Sequence, residues 1–119
     1  MPRFVLLEHT GHPDDPTGLH YDLLLEDGDS CRTWRLAMIP AGDSEPVVAE
    51  PLPPHRLAWL DVDSAVVSGG RGVARRLDAG TYDVIHEAAS DVLDVMVSGT
   101  LLSGRIMGVL PTGKIHEAP

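Results

Sequence analysis

The chain has 119 residues, 9 of them basic and 18 acidic, for a net charge of −9 with neutral histidines. That length supports one hydrophobic core, so a single domain over residues 1–119 is expected, with a loosely packed tail from about residue 111. The acidic balance excludes broad attraction to nucleic-acid backbone, which comes from Lys and Arg neutralising phosphates, and no apolar run reaches the roughly 20 residues of a membrane helix.

Taken in chain order, the apolar residues form short runs punctuated by Gly, Pro, Asp and Ser, without helical spacing sustained over several turns. The predicted strands are RFVLLEH (3–9), LHYDLLLE (19–26), CRTWRLAM (31–38), PVVAE (46–50), GVARRLD (72–78), TYDVIHE (81–87), DVLDVMVSG (91–99) and LLSGRIMGVL (101–110). EDGD (26–29) reads as a hairpin with a positive φ at Gly28, DAG (78–80) reads as a second turn, and SGT (98–100) joins the last two strands of a closing meander. TGHPDDPTG (10–18) reads as a rigid polar excursion, and EPLPPH (50–55) as a segment that its prolines extend without sheet pairing. Many short strands at near-even spacing predict an all-β fold, a small closed or partly open β-barrel of about eight mainly antiparallel strands. The apolar part of MPRFVLLEHTG is too short for a secretory signal, and the lone Cys31 has no internal disulfide partner and reads as a small strand residue. A cytoplasmic location is the expectation.

The chemistry concentrates in GLHYDLLLE (18–26). Residues two apart on a strand share a face, so His20 and Asp22 lie together while Tyr21, Leu23 and Leu25 point the other way. His9 closes the preceding strand, and an antiparallel pairing of the two strands converges two imidazoles and a carboxylate. Such a set suits Zn²⁺, Mn²⁺ or Fe²⁺ and leaves coordination positions for water or a substrate oxygen. His12 competes with His9 for the first ligand position. A plainer reading stands beside this one, in which His20 is a half-buried strand residue bonded to Asp22 or to the backbone. Glu26 shares the same face of a regular strand and can orient a ligand histidine. GGRG (69–72) reads as a tight turn or bulge, and His86, Glu87 and His116 read as surface residues.

RFVLLEH…LHYDLLLE resembles the opening of the 3′-phosphoesterase domain of bacterial DNA ligase D and its stand-alone relatives, where a strand ending in histidine precedes a Leu-His-Tyr-Asp-x-Arg-Leu-Glu motif. The resemblance continues in order along nearly the whole chain. DGDSCRTWRLAMIPAG is similar to that family's Asp-Gly turn, tryptophan strand and Pro-Lys-Gly segment, and PPHRLAW to a His-Pro-Leu-x-Tyr element. GGRGVARRLDAGTY is similar to its glycine-rich run, and VSGTLLSGRIMGVL to its closing hairpin.

The resemblance implies a barrel that binds Mn²⁺, with Zn²⁺ as the alternative, and removes a 3′-phosphate or 3′-ribonucleoside from nucleic-acid ends during DNA repair. It implies His9, His20 and Asp22 as metal ligands on the inner surface of the barrel. His55 matches a histidine that contacts the scissile phosphate and protonates the leaving oxygen, and Trp59 falls where the family has an active-site tyrosine. Taken from the sequence alone, His55 also reads as a surface residue in a proline-rich turn. Partners implied are nucleic-acid 3′ ends or a small phosphate ester, and DNA-repair proteins. Three positions depart from the pattern. Leu24 replaces the motif arginine, Ala41 replaces the lysine, and Trp59 lacks a phenol. Loss of the arginine supports a second expectation, a catalytically silent metal-binding or scaffold relative, unless Arg32, Arg35, Arg71, Arg75 or Arg76 takes over the anion contact.

Overall fold

The computed structural model describes residues 1–13, 18–40, 45–85 and 92–111. Within them lie eight strands: β1 (Arg3–Thr10), β2 (Leu19–Asp27), β3 (Ser30–Leu36), β4 (Val47–Arg56), β5 (Ser64–Val66), β6 (Val73–Val84), β7 (Asp94–Gly99) and β8 (Ser103–Val109). A 3-10 helix, Leu57–Asp61, separates β4 from β5. Strands pair in the order β1-β2-β3-β4-β8-β7-β6, and β6 returns to pair with β1, closing a seven-stranded barrel; β5 lies along β6 as an extra strand. All of these pairings are antiparallel except the β4–β8 contact at Val47 and Val48. The all-β barrel expected from the strand pattern is the fold, and no helix among the described residues is long and apolar enough to cross a membrane.

Alternation along the strands builds two cores. Phe4 and Leu6 of β1, Leu23 and Leu25 of β2, and Trp34 and Leu36 of β3 meet Val47, Tyr82, Val97 and Ile106 inside the barrel. On the opposite face of the same wall, Val5, Leu7, Leu24 and Cys31 form a smaller core with Leu60 and Ala74, against which Leu57 and Trp59 of the 3-10 helix pack. Part of this wall is therefore apolar on both sides, which explains the unbroken Leu23-Leu24-Leu25 run. Burial pushes the Cys31 thiol up, as expected of a side chain held inside the small core.

Gly28 joins β2 to β3 with φ +66°, in a hairpin whose last paired residues are Asp27 and Ser30. One expected turn and one expected unpaired segment lie within strands instead. DAG is no turn: β6 continues through it, with a register shift against β1 at the adjoining Leu77, and the Asp78 carboxylate instead accepts from the N–H groups of Thr100, Leu101 and Leu102 at 2.7–3.0 Å and holds the β7–β8 connection. Gly80 is needed there because a Cβ would collide with the Ser98 carbonyl oxygen of the paired strand. EPLPPH is also sheet-paired, with His55 opposite Cys31 and Pro51 opposite Trp34. Its prolines are tolerated because β8 pairs only with Val47 and Val48, leaving the other edge of β4 open, and because the register shifts between Cys31 and Thr33. The three-residue β5 and the 3-10 helix have no counterpart among the predicted strands.

Tyr82 ties the barrel wall to the end of β2, donating its hydroxyl to the Glu26 carbonyl at 2.6 Å. Burial first, and then the nearby Asp27 carboxylate, push the phenol above its ordinary value. A raised folded-state value means the stability contributed by the protonated phenol is intact below the unfolded value and is lost as pH rises through the folded one. Denaturant titration between pH 7 and 11 is expected to show stability falling on the alkaline side, and Tyr82→Phe is expected to flatten that fall at a cost of about 1 kcal/mol at neutral pH. An unchanged alkaline limb in the variant would remove Tyr82 as its source.

Candidate metal centre and cleft

The β1–β2 register sets His9 directly opposite His20, and Leu7 opposite Asp22. Cross-strand partners share a face, so His9, His20 and Asp22 gather on the face that carries Val5, Leu7 and Leu24. This stripe is apolar at one end, where the 3-10 helix covers it, and polar at the other. The cluster thus sits on the outer face of the barrel wall rather than on its inner surface. The interior positions of β1 and β2 are taken by Phe4, Leu6, Leu23 and Leu25, and a one-residue offset along a strand decides the face.

The cluster is buried, with His9, His20 and Asp22 at 7, 3 and 4 % exposure. One ligand atom from each lies within 4.8 Å of the others. His9 Nε2 donates to the Arg71 carbonyl at 2.6 Å, which fixes the ring orientation and turns Nδ1 toward Asp22 Oδ2 at 3.3 Å. In the neutral ring both of those facing atoms carry lone pairs, so a proton or a metal ion must sit between them. Asp22 Oδ1 is buried with no hydrogen-bond partner among the described residues and lies 3.4 Å from His20 Nε2. Burial pushes the Asp22 carboxyl up, but His20 and then His9 pull it down by more, and the carboxyl titrates below the ordinary value. Two imidazoles and one ionised carboxylate, with an orphaned carboxylate oxygen, fit a divalent cation.

A cleft of about 750 Å³ opens over this cluster. His9, His12 and Asp22 line it from the barrel wall, and His55 and Trp59 line it from β4 and the 3-10 helix. His55 Nδ1 lies 3.1 Å from the Pro53 carbonyl, a contact in which the ring nitrogen donates and Nε2 stays available. The His12 ring is 5.3 Å from that of His9 and 6.1 Å from that of His20, beside the cluster of three. The fold therefore brings every predicted site residue except the more deeply set His20 onto the cleft lining, and His20 adjoins it through Asp22.

Other predicted roles fall elsewhere. Glu26 accepts the Arg3 N–H at 2.8 Å, near the opposite end of β2 from His20, and orients no ligand histidine. Leu24 is fully buried in the small core and does not line the cleft. Ala41, His86, Glu87 and His116 lie outside the described residues. Of the five arginines that sequence leaves open as anion contacts, the cleft takes Arg35 and Arg71, and it adds Arg56, which sequence reading did not single out. No spacing rule points to them. Arg35 reaches the site because β3 pairs with β2 in the register Arg35–Asp22, and Arg71 because its loop closes over His9. Comparison of the chain with protein-family models and with curated proteins gives no match.

Proposed function

We propose that this protein is a metal-dependent phosphoesterase that removes a 3′-phosphate or 3′-ribonucleoside from nucleic-acid ends in the cytoplasm, in company with DNA-repair proteins. The carrying observation is that a buried His9/His20/Asp22 cluster and two side chains with N–H donors, His55 and Trp59, adjoin one cleft. Mn²⁺ is the proposed ion, with Zn²⁺ as the alternative, held by His9 Nδ1, a nitrogen of His20 and the Asp22 carboxylate. When bound, it polarises a phosphoryl oxygen and lowers the pKa of a coordinated water.

The chain's own residues supply the rest. The Arg71 carbonyl holds the His9 ring so that Nδ1 faces inward. His55, steadied at Nδ1 by the Pro53 carbonyl, presents Nε2 to the substrate. As a water oxygen bonds to phosphorus and the bond from phosphorus to the leaving oxygen breaks, His55 passes a proton from Nε2 to that oxygen, and the proton shed by the attacking water goes to solvent, from which the imidazole is recharged. The Trp59 indole N–H has no acceptor function and serves as a fixed donor to a phosphoryl oxygen. A single such donor bond at a transition state is worth about 3 kcal/mol of barrier where water is excluded.

The test is incubation of the full chain with Mn²⁺ and primer-templates ending in a ribonucleotide or a 3′-phosphate, beside His20→Ala and His55→Ala. Metal-dependent product is expected from the unsubstituted protein, with His55→Ala slower by about 100-fold or more. Absence of product from the metal-loaded protein rejects the enzymatic reading for these ends. Leucine at position 24, where the resembled motif has an arginine, favours a second reading, a metal-binding module without turnover, and metal binding with no product on any such end is its signature.

A further inference from the structure

The arginines divide into two groups by what faces them. Arg3 pairs with Asp61 at 2.8 Å, Arg75 with Glu8 at 3.2 Å, Arg105 with Asp94 at 2.8 Å, and Arg76 with Asp63. Arg32 lies over the Trp34 ring, 4.9 Å from its centroid. The other three, Arg35, Arg56 and Arg71, have no carboxylate partner among the described residues, and all three line the cleft above the metal cluster. In a protein of net charge −9, three cations that form no ion pair among the described residues converge on one place, beside the buried Asp22 carboxylate. Such a concentration raises the local level of anions and steers them in.

Arg35 is the most telling of the three. It stands opposite Asp22 in the β2–β3 register, and its Nε is buried without a hydrogen-bond partner. A buried donor left without an acceptor is rare in a finished fold and is satisfied when a ligand brings the acceptor. The planar guanidinium offers paired N–H groups that match two oxygens of one phosphoryl group. Arg71 is braced differently: its Nε and Nη2 bond the Ser68 carbonyl and hydroxyl at 2.7 and 3.2 Å, which fixes the cation at the cleft edge, while its own carbonyl orients His9.

We propose that these arginines form the anion-binding side of the cleft. Arg35 is the inner contact to a phosphoryl group beside the metal cluster, and Arg56 and Arg71 are outer contacts to the next phosphate of a strand. This rests on the phosphoesterase reading for the identity of the anion, but anion capture itself requires no turnover. Three guanidinium charges exceed what one phosphate monoester needs, so the ligand class is a strand end carrying more than one phosphate.

Calorimetric titration of the full chain with inorganic phosphate, and separately with a 3′-phosphorylated thymidine trinucleotide, tests this. Arg35→Gln is expected to weaken both by about tenfold or more, and Arg35→Lys, which keeps the charge and loses the fork, by several-fold. Arg56→Gln and Arg71→Gln are expected to weaken the trinucleotide more than phosphate, and Arg75→Gln, whose arginine faces Glu8, to change neither. Phosphate binding by both Arg35 variants equal to that of the unsubstituted protein, or no phosphate binding by the latter, overturns the proposal. Mn²⁺ affinity of the same variants, read by electron paramagnetic resonance, keeps the two readings apart. A protein that binds phosphate through Arg35 but processes no 3′ end refutes the phosphoesterase reading and leaves the anion site standing.

Discussion

His20→Ala is expected to lower Mn²⁺ and Zn²⁺ affinity by at least about 100-fold, since losing even a residue that only orients a ligand costs 10–100-fold. Thermal unfolding reads the effect directly. Metal at about 100 times its dissociation constant stabilises the folded chain by roughly 2.7 kcal/mol, which in a domain of this size raises the midpoint by on the order of 10 °C. The unsubstituted protein is expected to show that rise, and His20→Ala and Asp22→Asn to lose most of it. His12→Ala is expected to keep most of it, because His12 lies beside the three clustered donors and not among them. A full metal-dependent rise in His20→Ala would remove the cluster as the binding site.

The pH dependence of that rise has a defined sign. Imidazoles must be neutral to ligate, so metal affinity falls as pH falls. The Asp22 carboxyl is held below the ordinary carboxylate value by His20 and His9 against the opposing effect of burial, so it is not the group that sets this fall. In the metal-free protein the lowered Asp22 value gives stability that is present above the ordinary carboxylate range and is lost as pH drops through the folded-state value.

Leu24→Arg is expected to destabilise the fold by about 3–5 kcal/mol, the range seen when a buried charge lacks its partner. The midpoint would then drop by roughly 10–20 °C. The reason is local: Leu24 is fully buried with Val5, Leu7 and Leu60, under the 3-10 helix, and an arginine there must either desolvate its guanidinium or displace that helix. Leu24→Met, which conserves volume, is expected to cost less than about 1.5 kcal/mol. Should Leu24→Arg melt with the unsubstituted protein, position 24 reaches solvent and the covering role of Leu60 and Trp59 is wrong. The contrast bears on the silent-relative expectation, because the missing arginine is matched by an apolar seat for the helix that carries Trp59 into the cleft.

Legibility varied with how local the determining interactions are. The β2–β3 hairpin was readable because Gly28 and its neighbours carry the turn chemistry themselves, and the β1 and β2 strands because alternation is a property of consecutive residues. DAG misled because Asp78 resembles a turn former, while its carboxylate serves N–H groups more than 20 residues away. EPLPPH misled because proline's missing N–H matters only on a paired edge, and which edge of β4 stays open depends on where β8 stops. The period-two spacing of His20 and Asp22 puts both on one face of β2, and the β1–β2 register, which sequence leaves open between His9 and His12, brings His9 to them.

Which face that was could not be read from it. Alternation distinguishes two sides of a strand but does not say which one the closing barrel will enclose, and an apolar outer stripe under the 3-10 helix looks the same as an inner one. Sequence by itself determined the all-β class, the hairpin made by its own turn residues at Gly28, and the shared face of His20 and Asp22. Tertiary structure alone decided that they lie outside the barrel and that Arg35, Arg56 and Arg71 share the cleft over them. Those outcomes depend on inter-strand register and on the path of the segment from β4 to β6, which are set by contacts between residues far apart in the chain.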